Sequence, residues 1–143
     1  MIPANLSEYL ERHNNPLAQE YAHDRLLRDI TERLREILNS EPIKIYSKVD
    51  LFEGNTQIGR VDLVAPTLDE ICIIQAMAIS QNRAQSRGND LNRMRNKLWQ
   101  GYEFFKRFDV ASRMIGLYRR PGVSHIQREE ISRPIEDVMA YTK

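Results

Sequence analysis

Apolar residues recur at spacings of three and four through Leu27, Ile30, Leu34, Ile37 and Leu38, the stripe of an amphipathic helix. The pattern predicts one long helix from about Leu17 to Leu38, closed by Asn39-Ser40-Glu41-Pro42. Glu20 lies two turns before Leu27 on the same face, so this helix is expected to turn a carboxylate toward the core. A short helix over 4–13 precedes it and stops at Asn14-Asn15-Pro16. Alternation in IKIYSKVDLF predicts a strand over 43–52, and Glu53-Gly54-Asn55-Thr56 supplies turn chemistry. IGRVDLVA, 58–65, reads as the returning strand of a hairpin, and Pro66 to Asp69 as a second turn. Residues 71–79 are apolar on both faces, the mark of a central strand. After a polar loop at 80–89, the stripe Leu91, Met94, Leu98, Tyr102 and Phe105 predicts a second long helix over about 90–107. SRMIGLY, 112–118, predicts a fourth strand, and Pro134 is suited to the first turn of a last short helix near 134–141.

The predicted order is helix, three-stranded antiparallel meander, helix, strand. A helix between strands three and four acts as a crossover, which makes that pair parallel. The expected fold is α/β, with helices flanking a mixed central sheet. A chain of 143 residues suits a single domain spanning 1–143, with a core over about 17–120 and a C-terminal extension over about 121–143.

Composition narrows the function classes only at the margins. There is no apolar run of bilayer length, so no membrane partner is expected. The N-terminal stretch carries acids and lacks the basic-then-apolar order of a secretory signal, which points to a cytoplasmic protein. The single cysteine, Cys72, excludes an intrachain disulfide and suggests no zinc cluster. Net charge is +1, but its distribution is uneven: residues 83–120 hold 10 basic and 3 acidic side chains. Such an excess is a footprint for a polyanion or a solvated helix face.

The chemistry-bearing positions lie in the second and third strands. Gln75 interrupts the apolar run ICIIQAMA, where a buried amide without partners costs roughly 1–3 kcal/mol. Gln75 and Met77 share a strand face, and hairpin pairing brings Asp62 beside Gln75. Asp62, the 13-residue gap to the triplet Gln75-Ala76-Met77, and the order of elements together resemble the PD-(D/E)XK nuclease superfamily, which includes restriction endonucleases and Holliday-junction resolvases. The resemblance covers about Glu20 to Tyr118 and implies a restriction-endonuclease-like core.

In that family the triplet is an acid, any residue, then lysine. The resemblance implies a catalytic set of Asp62, Gln75, Met77 and Glu20, with Asp62, Gln75 and Glu20 at the positions that hold Mg²⁺ or Mn²⁺. Such a metal neutralises the phosphate and activates a water, and Mg²⁺ demands hard oxygen ligands. This chain departs from the pattern at both ends of the triplet. Gln75 keeps the shape of glutamate without its charge, Met77 keeps the length of lysine without its ammonium, and Val61 stands where the motif has proline. Natural degeneration, deliberate isosteric inactivation and relocation of the missing charge each account for the triplet. Arg95 and Lys97, on either side of the helix stripe, are the candidates for relocation. His23, three residues after Glu20, suits a core margin better than a metal site.

The functional expectation is a nuclease-fold protein that engages nucleic acid and is deficient in cleavage, an endonuclease or resolvase if its charges were restored. Arg83, Arg87, Arg93, Arg95 and Lys97 are the expected phosphate contacts. DNA is favoured over RNA as partner, and a homodimer fits the family. The alternative is a non-catalytic protein-interaction or assembly module on the same fold.

Overall fold

The computed structural model describes residues 2–78, 84–120 and 125–131, with the backbone alone for 84–89. Helix α1 spans Ala4–His13, α2 Ala22–Glu32 and α3 Leu34–Leu38. Strands β1 (Tyr46–Glu53), β2 (Thr56–Pro66) and β3 (Glu70–Ala78) follow, then α4 (Ala84–Phe105), β4 (Ala111–Arg119) and β5 (Gln127–Ile131). The five strands form one sheet in the order β1-β2-β3-β4-β5. β1, β2 and β3 make an antiparallel meander. The α4 crossover lays β4 parallel to β3, and β5 returns antiparallel along β4. This is a mixed α/β sheet with helices on both faces.

Two apolar layers hold the sheet. Leu6 and Leu10 of α1 and Leu98, Trp99, Phe104 and Phe105 of α4 or its end pack on Val49, Val61, Ile73 and Met114. On the opposite face Leu26, Leu27 and Ile30 of α2 and Leu34 and Leu38 of α3 cover Leu63, Cys72, Ile74 and Leu117. β3 feeds both layers, which explains its apolar sequence. Cys72 belongs to this packing, and burial pushes its thiol up to about 11. Gly101 lets α4 sit close to the sheet, since a Cβ there would lie 2.8 Å from Val61 Cγ2 and 3.1 Å from Ile73 Cγ2.

The structure differs from the sequence expectation in four places. The long helix from Leu17 is two helices, broken at Arg33, where the backbone leaves helical geometry (φ −110°, ψ 8°). Both pieces still lie on the same face of the sheet, so the apolar stripe survives the break. The second long helix begins at Ala84, inside the expected polar loop. The first strand starts at Tyr46, and Ile43 is exposed instead of opening it. Finally, β5 covers the edge of β4, within the C-terminal extension, where no strand was expected. Its sequence, QREEI, lacks an apolar alternation because charged partners on β4 and α4 hold it, as detailed below. The expected helix near 134–141 and the last residue of the third strand lie outside the described residues.

Candidate functional site

The strands β1 and β2 change face in the middle. Lys48 adopts a left-handed backbone (φ 45°), yet Ser47↔Leu63 and Val49↔Val61 keep one register on either side. As a result Tyr46 and Val49 enter the same apolar layer, as do Val61 and Val64, although strict alternation would separate them. Asp62 stands at this switch, opposite Lys48. The kink is fixed from outside: the Lys48 carbonyl accepts from Asn15 Nδ2 at 2.7 Å, and the Lys48 ammonium meets Asp24 Oδ2 at 2.8 Å. Asp24 is 4% exposed and also accepts the Ala18 N–H at 2.7 Å. Burial works against its charge, but Lys48 and the Ala18 N–H outweigh that and hold its carboxyl below the usual range.

β2 and β3 pair from Pro66↔Ile71 to Leu63↔Ile74 and then part. Two side chains bridge the fork. The Asp62 N–H donates to Gln75 Oε1 at 2.7 Å, and the Ala76 N–H donates to Asp62 Oδ2 at 2.9 Å. Each side chain thus satisfies a backbone donor that the separating strands leave without a ladder partner. Gln75, 2% exposed, is tolerated because it takes the place of a strand carbonyl. The remaining carboxylate oxygen, Asp62 Oδ1, lies 3.0 Å from His23 Nε2 in the first turn of α2. That hydrogen bond raises the His23 pKa above its ordinary value; partial burial and the nearby Lys97 oppose the rise, while the charges of Asp62 and Asp24 add to it.

Beyond the fork, the described residues enclose a cavity of about 580 Å³ between α2 and α4 at the carboxyl end of β3. His23, Asp62 and Gln75 line its inner wall. Met77 and Ala78 supply its accessible apolar floor, Met94 adjoins it but is buried, and the exposed Arg93, Asn96 and Lys97 of α4 form its rim. Met94 lies over Gly116, where a Cβ would collide with its methyl group.

The expected site residues divide accordingly. Asp62, Gln75 and Met77 come together at the cavity, and Arg93 and Lys97 join them from α4. Glu20 does not belong to a helix: it is exposed in a turn, two residues before α2 begins. The inward carboxylate of this region is Asp24, in the first turn of α2, where the helix dipole also favours it. Arg95 faces β5 instead of the cavity and grips Glu129 through Nε at 2.7 Å and Nη2 at 3.0 Å. The side chains of Arg83 and Arg87 lie outside the described residues. His23 and the Lys48–Asp24 pair were not foreseen as parts of one site. The signal available for Asp24 was its first-turn position, and for His23 its place beside that acid; nothing local marks Lys48.

The residues present do not fit a Mg²⁺ site. Among the described residues the cavity offers one carboxylate, and both of its oxygens already have partners in His23 and the Ala76 N–H. Gln75 Oε1 is directed to the Asp62 N–H, and no group of three His, Cys, Asp or Glu side chains gathers among the described residues. A hard dication needs several oxygen ligands at once.

No family model and no curated protein matches the chain. A solved structure described as "Crystal structure of SSO0001" is similar to it at 18% identity and a TM-score of 0.46, covering 81% of this chain and 52% of that one. This chain therefore corresponds to about half the length of that protein. Among the described residues, no helix is long and apolar enough to cross a membrane.

Proposed function

We propose that this chain is a protein of the restriction-endonuclease-like type that binds nucleic acid through the cavity at the β2–β3 fork and does not cleave it. The supporting observation is the pairing of Asp62 with His23 and the Ala76 N–H, beside a neutral Gln75 and Met77 and below a rim of Arg93 and Lys97. Cations at the rim suit phosphate oxygens, which supply most of a sequence-independent affinity. A carboxylate occupied by histidine and backbone, with no lysine at position 77, suits retention of the strand without hydrolysis.

The experiment is a binding titration across salt, run beside a cleavage assay with Mg²⁺ and Mn²⁺. The expected outcome is salt-sensitive binding without cleavage by the native chain. Cleavage by a Gln75→Glu/Met77→Lys variant would establish a disabled nuclease. Efficient metal-dependent cleavage by the native chain would remove the second half of the proposal. Absence of binding to any DNA or RNA form would favour a protein-interaction module on this fold and sink the reading.

A further inference from the structure

Cations and an apolar floor meet in the same cavity, and one ligand class uses both. Arg93 and Lys97 stand four residues apart on α4, so both project to the same side of the helix. Lys97 pairs with no carboxylate among the described residues, and Arg93 reaches Asp90 only at 3.9 Å. Half-buried Met77 and exposed Ala78 line the same cavity, while Met94, packed over Gly116, is only 3% exposed and offers little surface to it. Thioether and methyl groups are soft, polarisable surfaces for the face of an aromatic ring.

A base inside a duplex hides both faces against its neighbours and shows only its edges in the grooves. Against a duplex, Met77 would therefore contact nothing it suits. An unstacked base exposes its face, and its phosphate lies one sugar away, as the rim lies beside the floor. A cavity of about 580 Å³ is in the range that holds a small organic ligand, not the body of a double helix. Asp62 turns its two oxygens to His23 Nε2 and the Ala76 N–H.

Resting on the nucleic-acid reading above, we propose that the cavity takes one unpaired nucleotide of a single strand, its phosphate on Arg93 and Lys97 and its base on Met77. Single-stranded segments or frayed ends are then the substrate class of this site, and intact duplex is excluded from its floor.

Fluorescence anisotropy with a labelled single-stranded octanucleotide tests this, with the blunt duplex of the same sequence, a nucleoside 5′-monophosphate and inorganic phosphate as competitors. Base stacking predicts that the single strand binds about tenfold or more tightly than the duplex at equal salt. The monophosphate should compete, and phosphate at the same concentration should not. Met77→Asp should weaken the single strand about tenfold or more. Ala78→Glu, at an exposed position that also lines the cavity, should act likewise where Met77→Asp disturbs folding. Lys44→Ala, whose pair with Glu11 joins α1 to the segment before β1, serves as the neutral control. Equal or tighter duplex binding, or floor variants that leave strand binding unchanged, would overturn the inference. If Arg93→Ala/Lys97→Ala abolishes duplex binding while the floor variants do nothing, the nucleic-acid reading survives without it. If neither strand form binds, both fall.

Discussion

Gln75 is a side chain doing backbone work. Its Oε1 accepts the Asp62 N–H at 2.7 Å in a place where the parted strands provide no carbonyl. Gln75→Val would pack well enough in an apolar strand but would leave that donor buried without an acceptor. We expect a loss of about 2 kcal/mol in urea denaturation; an unchanged midpoint would show that water reaches the Asp62 N–H. His23 gives a second residue-scale test. Its folded pKa is raised above the ordinary histidine value by Asp62, so its contribution to stability is full at pH below about 6.5 and fades as pH rises through the folded value. The imidazole is 44% exposed, which limits the pair to about 0.5–1 kcal/mol. Native protein should therefore exceed His23→Gln in stability at pH 5.5, and the difference should shrink by pH 8.5. A difference that grows with pH would assign His23 the opposite role. Asp62, Gln75 and Met77 could be placed together from sequence because strand parity and hairpin pairing are short-range rules. His23 and Lys48 could not, because their partners depend on how α2 and the β1 kink dock against the fork.

At the scale of elements, the site exists because β2 and β3 part while α4 stays close to the sheet. The closeness depends on Gly101, a residue that is unfavourable inside a helix. Gly101→Ala would gain up to about 1 kcal/mol in helix propensity. It would also place a methyl 2.8 Å from Val61 Cγ2 and 3.1 Å from Ile73 Cγ2, both buried and β-branched. Overpacking of this kind costs about 1–3 kcal/mol, so we expect a net loss of about 1 kcal/mol. Thermal denaturation decides it: a raised midpoint would mean that α4 lifts from the sheet at little cost. The strand and helix pattern was legible wherever apolar positions follow the packing of the element, on one face of α4 and on both faces of β3. It was misleading at the start of α2, because the Leu27 stripe says where a helix packs but not where it begins. The start is set by Tyr21, which adopts extended geometry ahead of Ala22, and by Asp24, whose bond to the Ala18 N–H closes the preceding turn. β5 was illegible for another reason. Its ordering comes from its ladder on β4 together with Glu129 on Arg95 and Glu130 on Arg113, contacts across 34 and 17 residues that no local pattern encodes.

At the scale of the whole molecule, those same contacts change what the basic segment can do. Residues 83–120 carry an excess of seven positive charges in sequence. In the fold, Arg95 is committed to Glu129, Arg113 to Glu130 and more distantly to Glu70, and Arg119 to Asp29. Much of the apparent polyanion footprint is thus spent in tying β4 and β5 to α4 and α2. Arg93 and Lys97 are the cations of this segment that line the cavity. Binding of a single strand releases counterions in proportion to the phosphates neutralised, with a slope of about −0.7 per contact in log affinity against log salt. Arg93→Ala/Lys97→Ala, which removes both holders of one phosphate, should accordingly flatten that slope by about 0.7. Arg95→Ala should leave it unchanged and instead lower stability by about 0.5–1 kcal/mol, since Glu129 loses a partly exposed partner. Affinity measured at four or five salt concentrations for the three proteins separates the two roles. A slope that falls with Arg95→Ala as much as with the double variant would mean that the Glu129 clamp opens on binding, and that the charge excess seen in the sequence acts as one field after all.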